Sequence, residues 1–158
     1  MDEGCLVDII FLDFAKAFDK VPRRRLVAKL EAHGIGGEAL RWIDNWLTGR
    51  KQRVALNRNT SSWEDVESGV PQGSVLGPIL FLVYINDLDG AARLVDILRK
   101  FADDTKASQR VGTANGRARL QVALDELCTW ADKWGMEYNV KKCKVMHIGH
   151  GNIRQCTR

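Results

Sequence analysis

Three carboxylates in two stretches carry the chemistry this chain could perform. Asp103 and Asp104 stand side by side after an apolar approach over residues 95–98, and Thr105 follows them. An apolar run that ends in adjacent acids reads as a strand entering a tight turn, with Thr105 opening the return strand. Side chains alternate along a strand, so two neighbouring acids share a direction only where a turn breaks the pairing. Like charges that close repel unless a cation lies between them. A hard cation with oxygen ligands, Mg²⁺ above all, is the natural partner. By itself an Asp-Asp pair is more often an Asx-rich hairpin turn. Asp13 changes that balance, because it too ends an apolar run, Ile9-Ile10-Phe11-Leu12. Two strands that each deliver a carboxylate make one metal site if they lie side by side in a sheet.

Three segments occur in order: Asp13-Phe14-Ala15-Lys16-Ala17-Phe18, Val70-Pro71-Gln72-Gly73-Ser74 and Phe101-Ala102-Asp103-Asp104. They resemble the motifs of a reverse transcriptase palm of the kind carried by non-LTR (LINE-type) retrotransposons: the first acidic motif, the Pro-Gln-Gly nucleotide loop and the aromatic-x-Asp-Asp signature. Each alone is weak; the three in this order and spacing are specific, and the likeness spans roughly residues 7–149. It implies an RNA-directed DNA polymerase, a nucleotidyltransferase that joins a dNTP to a primer 3′-hydroxyl. Two Mg²⁺ ions, with Mn²⁺ as a substitute, would lie about 3.5–4 Å apart. By this resemblance Asp13 and Asp103 bridge both ions, Asp104 helps hold one, and the Phe14 peptide carbonyl adds an oxygen. Phe18 matches the bulky residue under the incoming sugar, which would clash with a 2′-hydroxyl. Gln72 would touch the incoming nucleotide and Gly73 would permit its close approach. Lys142, in Asn139-Val140-Lys141-Lys142, resembles the lysine that neutralises or protonates the pyrophosphate; Lys141 and Lys144 compete for that role. The implied partners are an RNA template, a DNA primer, dNTP, and the fingers and thumb of a longer polymerase. Residues 1–149 would then form an incomplete palm and 150–158 a polar tail. The alternative is a truncated, inactive retroelement remnant that binds nucleic acid through the same residues.

The bulk numbers agree without deciding. The chain has 158 residues, enough for one domain with a real core. Hydrophobic residues make up 45% and charged residues 28%, which excludes a disordered chain. A formal charge of +4 and a pI near 9.0 suit a nucleic-acid partner but are common elsewhere. Cys5, Cys128, Cys143 and Cys156 show no CxxC spacing and read as reduced thiols of an intracellular protein, nuclear or cytoplasmic. Cys143, His147 and His150 lack a fourth ligand and zinc spacing. No apolar run approaches a membrane span, so no membrane partner is expected.

The surrounding pattern shows what must position the acids. Residues 8–14 read as a central strand that is apolar, and therefore buried, on both faces. Pro22 opens a helix with Leu26, Val27 and Leu30 on one face and Gly34 as its stop. Arg23, Arg24 and Arg25 sit in its first turn, where the helix dipole disfavours cations, a mild hint of an external anion. A second helix over 38–48 carries Trp42 and Trp46, expected as core. Arg50-Lys51-Gln52-Arg53 forms a basic entry to an exposed hairpin. Residues 79–88 are apolar nearly all round, which predicts a buried helix; either Gly77, before Pro78, or Ser74 caps its start. A hairpin over 95–111, a long amphipathic helix to Trp134 and a closing strand over 141–148 complete the order. In that long helix Leu120, Leu124, Leu127, Ala131 and Trp134 share the apolar face. This is an α+β domain with a mostly antiparallel sheet and helices packed on one face. The resemblance makes it a polymerase palm-like, ferredoxin-like sheet with the Asp13 strand beside the Asp103-Asp104 hairpin.

Overall fold

The structure, a computed structural model, describes residues 5–152. Cys156 and the end of the expected polar tail lie outside the described residues. In chain order the elements are β1 (Val7–Leu12), α1 (Ala17–Lys20), α2 (Arg23–Ala32), α3 (Gly37–Leu47), then four two-residue strands. These are β2 (Lys51–Gln52), β3 (Ala55–Leu56), β4 (Asn59–Thr60) and β5 (Glu64–Asp65). Then come α4 (Leu76–Tyr84), a 3-10 helix over Asn86–Ala91, β6 (Ile97–Phe101), β7 (Asp104–Arg110), α5 (Ala114–Trp134) and β8 (Lys144–Ile148). They fall into two compact units: residues up to 15 with those from 85 onward, and residues 16–84.

The first unit holds a four-stranded sheet in the order β6-β7-β1-β8, with every pairing antiparallel. That is the strand order of the split βαβ, or ferredoxin-like, motif. In the register Ile10 faces Ala107 on one side and Val145 on the other, and Asp8 faces Gln109 and His147. Alternation puts Asp8, Ile10, Thr105, Ala107 and Gln109 on one face, and all five are buried. Helix α5 packs against β7, with Leu120, Ala123, Leu127, Trp130 and Ala131 buried. The opposite face is open: Ile97, Met146 and Ile148 are each about half exposed. The expectation that β1 is buried on both faces is therefore corrected. Its run of apolar residues gives no alternation to read, yet helices cover only one side.

Helix α5 is bounded as its sequence demands. The Thr113 hydroxyl accepts from the Gly116 amide at 3.0 Å, and Gly135, at φ 70°, closes the helix in the left-handed region. Trp130 replaces the expected Trp134 as the buried aromatic, and its indole Nε1 donates to Asp87 at 3.0 Å.

The second unit packs α2 against both α3 and α4. Leu26 and Leu30 of α2 are fully buried, each worth about 1.5–3 kcal/mol by the area it removes from water. Arg23 donates to Asp44 at 2.8 Å and to Thr48 at 2.6 Å, so one of the three first-turn arginines is an internal tie between α2 and α3. Two expectations change here. Trp42 is exposed rather than core, its ring offset-stacked on Trp46 at 6.0 Å. Helix α4 buries Leu80, Phe81 and Tyr84 but exposes Ile79 and Leu82. An all-apolar helix carries no pattern that marks which face is covered. Gly77 lies inside α4, and the Ser74 hydroxyl accepts its amide at 2.9 Å, so Ser74 is the residue that anchors the start. Among the described residues no helix is long and apolar enough to cross a membrane.

Candidate active site

The register brings the acids to one end of the sheet of the first unit. Leu12 pairs with Thr105 as the last pair of the β1–β7 ladder, and Asp13 and Asp104 are the residues that flank that pair at the sheet end. Phe101 pairs with Asp104, which leaves Ala102 and Asp103 as a two-residue turn. Ala102 has φ 52° and Asp103 does not share the positive sign, the pattern of a type II′ hairpin turn. The turn thus falls before Asp104 rather than between the two acids, and Asp104 opens β7. Asp103 at the turn and Asp104 in the strand are free of the strict alternation that would set them on opposite faces.

Asp13 is held from the other side as well. Phe14 makes an isolated antiparallel bridge with Tyr138. The Ala15 amide donates to the Glu137 carbonyl at 2.7 Å and the Asn139 amide to the Asp13 carbonyl at 2.8 Å. In a bridge of this kind the central pair's own N–H and C=O point away from each other. The Phe14 carbonyl therefore points away from Tyr138. The Phe14 ring is buried, stacked on Tyr138 at a centroid distance of 4.6 Å and tilted against Trp130 at 6.2 Å. Burial pushes the Tyr138 phenol well above its ordinary pKa, so it stays neutral.

Of the three competing lysines, Lys142 is the one whose ammonium stands against Asp13, at 3.3 Å from Oδ1 and 3.4 Å from Oδ2. Its reach is set by a turn in which the Lys142 and Cys143 amides both donate to the Asn139 carbonyl, at 2.8 and 3.0 Å. Asp13 Oδ1 is nonetheless a buried oxygen with no hydrogen bond, because the lysine contact is an ion pair without hydrogen-bond alignment. A buried carboxylate oxygen without a hydrogen bond, at the sheet end where Asp103 and Asp104 also fall, is a donor of the type a hard cation with oxygen ligands takes. The residues therefore fit Mg²⁺ or Mn²⁺. Among the described residues, however, no three His, Cys, Asp or Glu side chains are gathered closely enough to cage an ion. His147 is engaged elsewhere, its Nδ1 2.7 Å from the buried Asp8 carboxylate, which also accepts from Asn152 at 2.8 Å.

Phe18, Gln72 and Gly73 lie in the second unit. The Phe18 ring, on α1, stacks on Phe81 of α4 at 4.5 Å. Gln72 and Gly73 are exposed. A Cβ on Gly73 would meet nothing within 4 Å, so what this glycine supplies inside the chain is its φ of 79°. Close backbone approach within the chain occurs around this loop at Gly69 and Gly77. A Cβ at Gly69 would lie 2.7 Å from the backbone of Phe18 and Asp19, and one at Gly77 would lie 2.3 Å from the Pro71 carbonyl. The approach to the loop is laced to the chain after Phe18. The Ser68 hydroxyl donates to the Asp19 carbonyl at 2.7 Å, the Gly69 amide to Val21 at 2.8 Å, and the Val70 amide to Phe18 at 2.8 Å. Asp19 acts here through its backbone, as befits a structural acid.

Arg50 was expected in a solvated basic entry and is not there. Its guanidinium donates to the carbonyls of Leu47 (3.1 Å), Ser68 (3.0 Å) and Gly69 (2.6 Å). Partial burial lowers its pKa from the ordinary arginine value. The only sequence signal was an arginine directly after the helix-ending Gly49. A cleft of about 840 Å³ opens beside it, with Lys16, Arg50, Lys51, Asp65 and Gln72 in its walls.

Comparison with known proteins places the chain. Residues 7–156 match the family model described as reverse transcriptase (RNA-dependent DNA polymerase). The chain is 34% identical over 156 residues to the RNA-directed DNA polymerase from mobile element jockey of Drosophila funebris, covering 92% of this chain and 16% of that protein. It is 30% identical over 154 residues to the probable RNA-directed DNA polymerase from transposon BS of Drosophila melanogaster, covering 89% of this chain and 16% of that one. The chain thus spans about a sixth of the length of these relatives. Among solved structures, telomerase from Candida tropicalis in complex with a fragment of telomeric RNA superposes with a TM-score of 0.66. That match has 12% identity and covers 98% of this chain and 28% of the telomerase, a likeness of fold. With the family model matched along nearly its whole length and the antiparallel α+β palm in place, the chain belongs to the reverse transcriptase family, beside the polymerases of non-LTR mobile elements.

Proposed function

We propose that this chain is the palm of an RNA-directed DNA polymerase that joins a dNTP to a primer 3′-hydroxyl on an RNA template. The observation that carries the reading is the delivery of Asp13, Asp103 and Asp104 to one end of a single sheet, with Asp13 Oδ1 buried and short of a donor. Asp13, Asp103 and Asp104, with the Phe14 carbonyl, would hold divalent cations. When bound, those cations neutralise charge at the reacting phosphates and acidify the primer hydroxyl. Lys142, whose side chain is largely exposed and whose ammonium pairs with Asp13, neutralises the leaving pyrophosphate or gives it a proton. The Phe18 ring, backed by Phe81, excludes a ribose 2′-hydroxyl, and Gln72 touches the incoming nucleotide. Residues 1–149 act as the palm, and the grip on the triphosphate comes from fingers and thumb segments of a longer polymerase. Positioning of reactants supplies several kcal/mol or more in such reactions, so the 158-residue chain alone polymerises poorly.

Two measurements test this. Mn²⁺ binding, read by electron paramagnetic resonance, should be weak in the purified chain and lost in Asp103→Ala. Primer extension on an RNA template should be strong in a version lengthened at both ends, feeble in the 158-residue chain, and absent from both with Asp103→Ala. Extension that survives Asp103→Ala would remove the acids from the mechanism, and robust synthesis by the short chain would show the outer segments dispensable.

A further inference from the structure

We propose that Arg50 is a positioning residue that sets the course of the loop carrying Gln72. The proposal rests on the reading of Gln72 as a nucleotide contact and goes beyond it, since Arg50 belongs to none of the three motifs. One guanidinium bonds three carbonyls from two places: Leu47, the last residue of α3, and the consecutive pair Ser68 and Gly69. The carbonyls at a helix C-terminus have no intrahelical partner and sit at the negative end of the dipole, so a cation is favoured there. The same cation then fastens the strand that runs into Pro71-Gln72. Ser68, Gly69 and Val70 are in turn bonded to Asp19, Val21 and Phe18. Arg50, the loop approach and the Phe18 turn therefore form one hydrogen-bonded assembly. Only Pro71, whose ring fixes its own φ, separates Val70 from Gln72. Gly69 adds the steric reason for an external clamp: with no side chain it lets the two backbones touch, and it supplies no side-chain contact to hold them there. Lysine does not substitute, because a compact ammonium lacks the planar fork that reaches separated carbonyls.

The test uses the whole 158-residue chain, ¹⁵N-labelled, with Arg50→Met and Arg50→Lys. Amide exchange at Gly69 and Val70 reads the clamp; calorimetric binding of dGTP with Mg²⁺ reads its consequence. Arg50→Met should speed exchange at both amides at least tenfold while the amides of β1 and β7 stay within about twofold. It should weaken dGTP about tenfold. Arg50→Lys, the milder change, should keep the fold and recover only a minor part of both effects. Unchanged exchange at Gly69 and Val70 overturns the clamp. Faster exchange with unchanged dGTP affinity overturns the positioning role. Full recovery by lysine overturns the argument from the fork. If the unaltered chain binds no dGTP, the affinity arm is read in the version lengthened at both ends, where absence of binding overturns the nucleotide-site reading, and the exchange arm still decides the clamp.

Discussion

Two glycines of one loop, Gly69 and Gly73, separate the two reasons a chain needs glycine. Both have positive φ, 85° and 79°. An alanine in the left-handed region costs about 1–2 kcal/mol. At Gly73 that is the whole cost, because its Cβ would enter open space. At Gly69 the added carbon would stand 2.7 Å from the Asp19 Cα, the Asp19 carbonyl oxygen and the Phe18 carbonyl oxygen. These are backbone atoms that no rotamer change can move aside, and forcing extra volume into such a contact adds about 1–3 kcal/mol. Gly69→Ala should thus lose about 2–5 kcal/mol and Gly73→Ala about 1–2 kcal/mol. At roughly 2–4 °C per kcal/mol for a chain of this size, the first lowers the melting temperature by about 4–20 °C and the second by no more than about 8 °C. Urea unfolding should be followed both by tryptophan fluorescence and by far-ultraviolet dichroism. Coincident curves are needed before a single free energy is assigned to a chain of two units. Equal losses at the two positions would refute the reasoning, showing that the backbones at Gly69 give way and that φ alone matters.

Phe18→Val, in a form of the protein that extends primers, should let rNTPs compete with dNTPs. The stability cost should be about 1–3 kcal/mol, because the ring is half-buried and stacked on Phe81 rather than enclosed. Retained dNTP preference in a variant that still extends primers ends the sugar-gate role. The Arg110 backbone N–H, and after it the Arg110 guanidinium, hold the Asp96 carboxyl below its ordinary range against the opposing effect of burial. A depressed folded pKa gives stability that is present above the unfolded value near 3.8 and is lost as pH falls through the folded one. Asp96→Asn should therefore be less stable than its parent at pH 7 and close to it near pH 2, in urea melts at the two pH values; a gap that persists unchanged at pH 2 contradicts the linkage.

The fall of Asp13 and of Asp103-Asp104 at strand ends was legible because it is written locally, the family because its three motifs stand in order, and the arrangement of the sheet because the resemblance implied it. An apolar run that stops at a carboxylate marks a strand end, and the order of elements leaves few ways to pair the strands. What was hidden depends on partners far along the chain. Nothing near Trp42 or Ile79 tells which face a neighbour covers, so amphipathic and uniformly apolar helices alike were assigned too much burial. Among Lys141, Lys142 and Lys144 no local feature chooses; the choice is made by the turn on the Asn139 carbonyl, whose own amide is fixed by Asp13. Arg50 was the largest omission. Its neighbours Lys51 and Arg53 are exposed, and a run of basic residues reads as one solvated surface. Only the carbonyls of Ser68 and Gly69, distant in sequence, distinguish it from the rest of the run.

The backbone carries its own record of where local preference was overridden. Among the described residues, four that are not glycine have positive φ: Lys16, Asn57, Arg58 and Ala102. Asn57 and Arg58 are the central pair between β3 and β4, where two positive φ values make the type I′ turn that suits twisted strands. Their conformation follows from the hairpin. Ala102 lies in a hairpin turn as well, between β6 and β7, whereas Lys16 lies in none. Ala102 takes the position of a type II′ turn that favours glycine, and Lys16 precedes α1 without a side-chain cap. Each costs about 1–2 kcal/mol. One stands immediately before Asp103 and the other three residues after Asp13. Positive φ at a non-glycine residue stands near both acidic stretches, as it does at Arg58 of the β3–β4 turn, and each is a place where the fold overrides local preference.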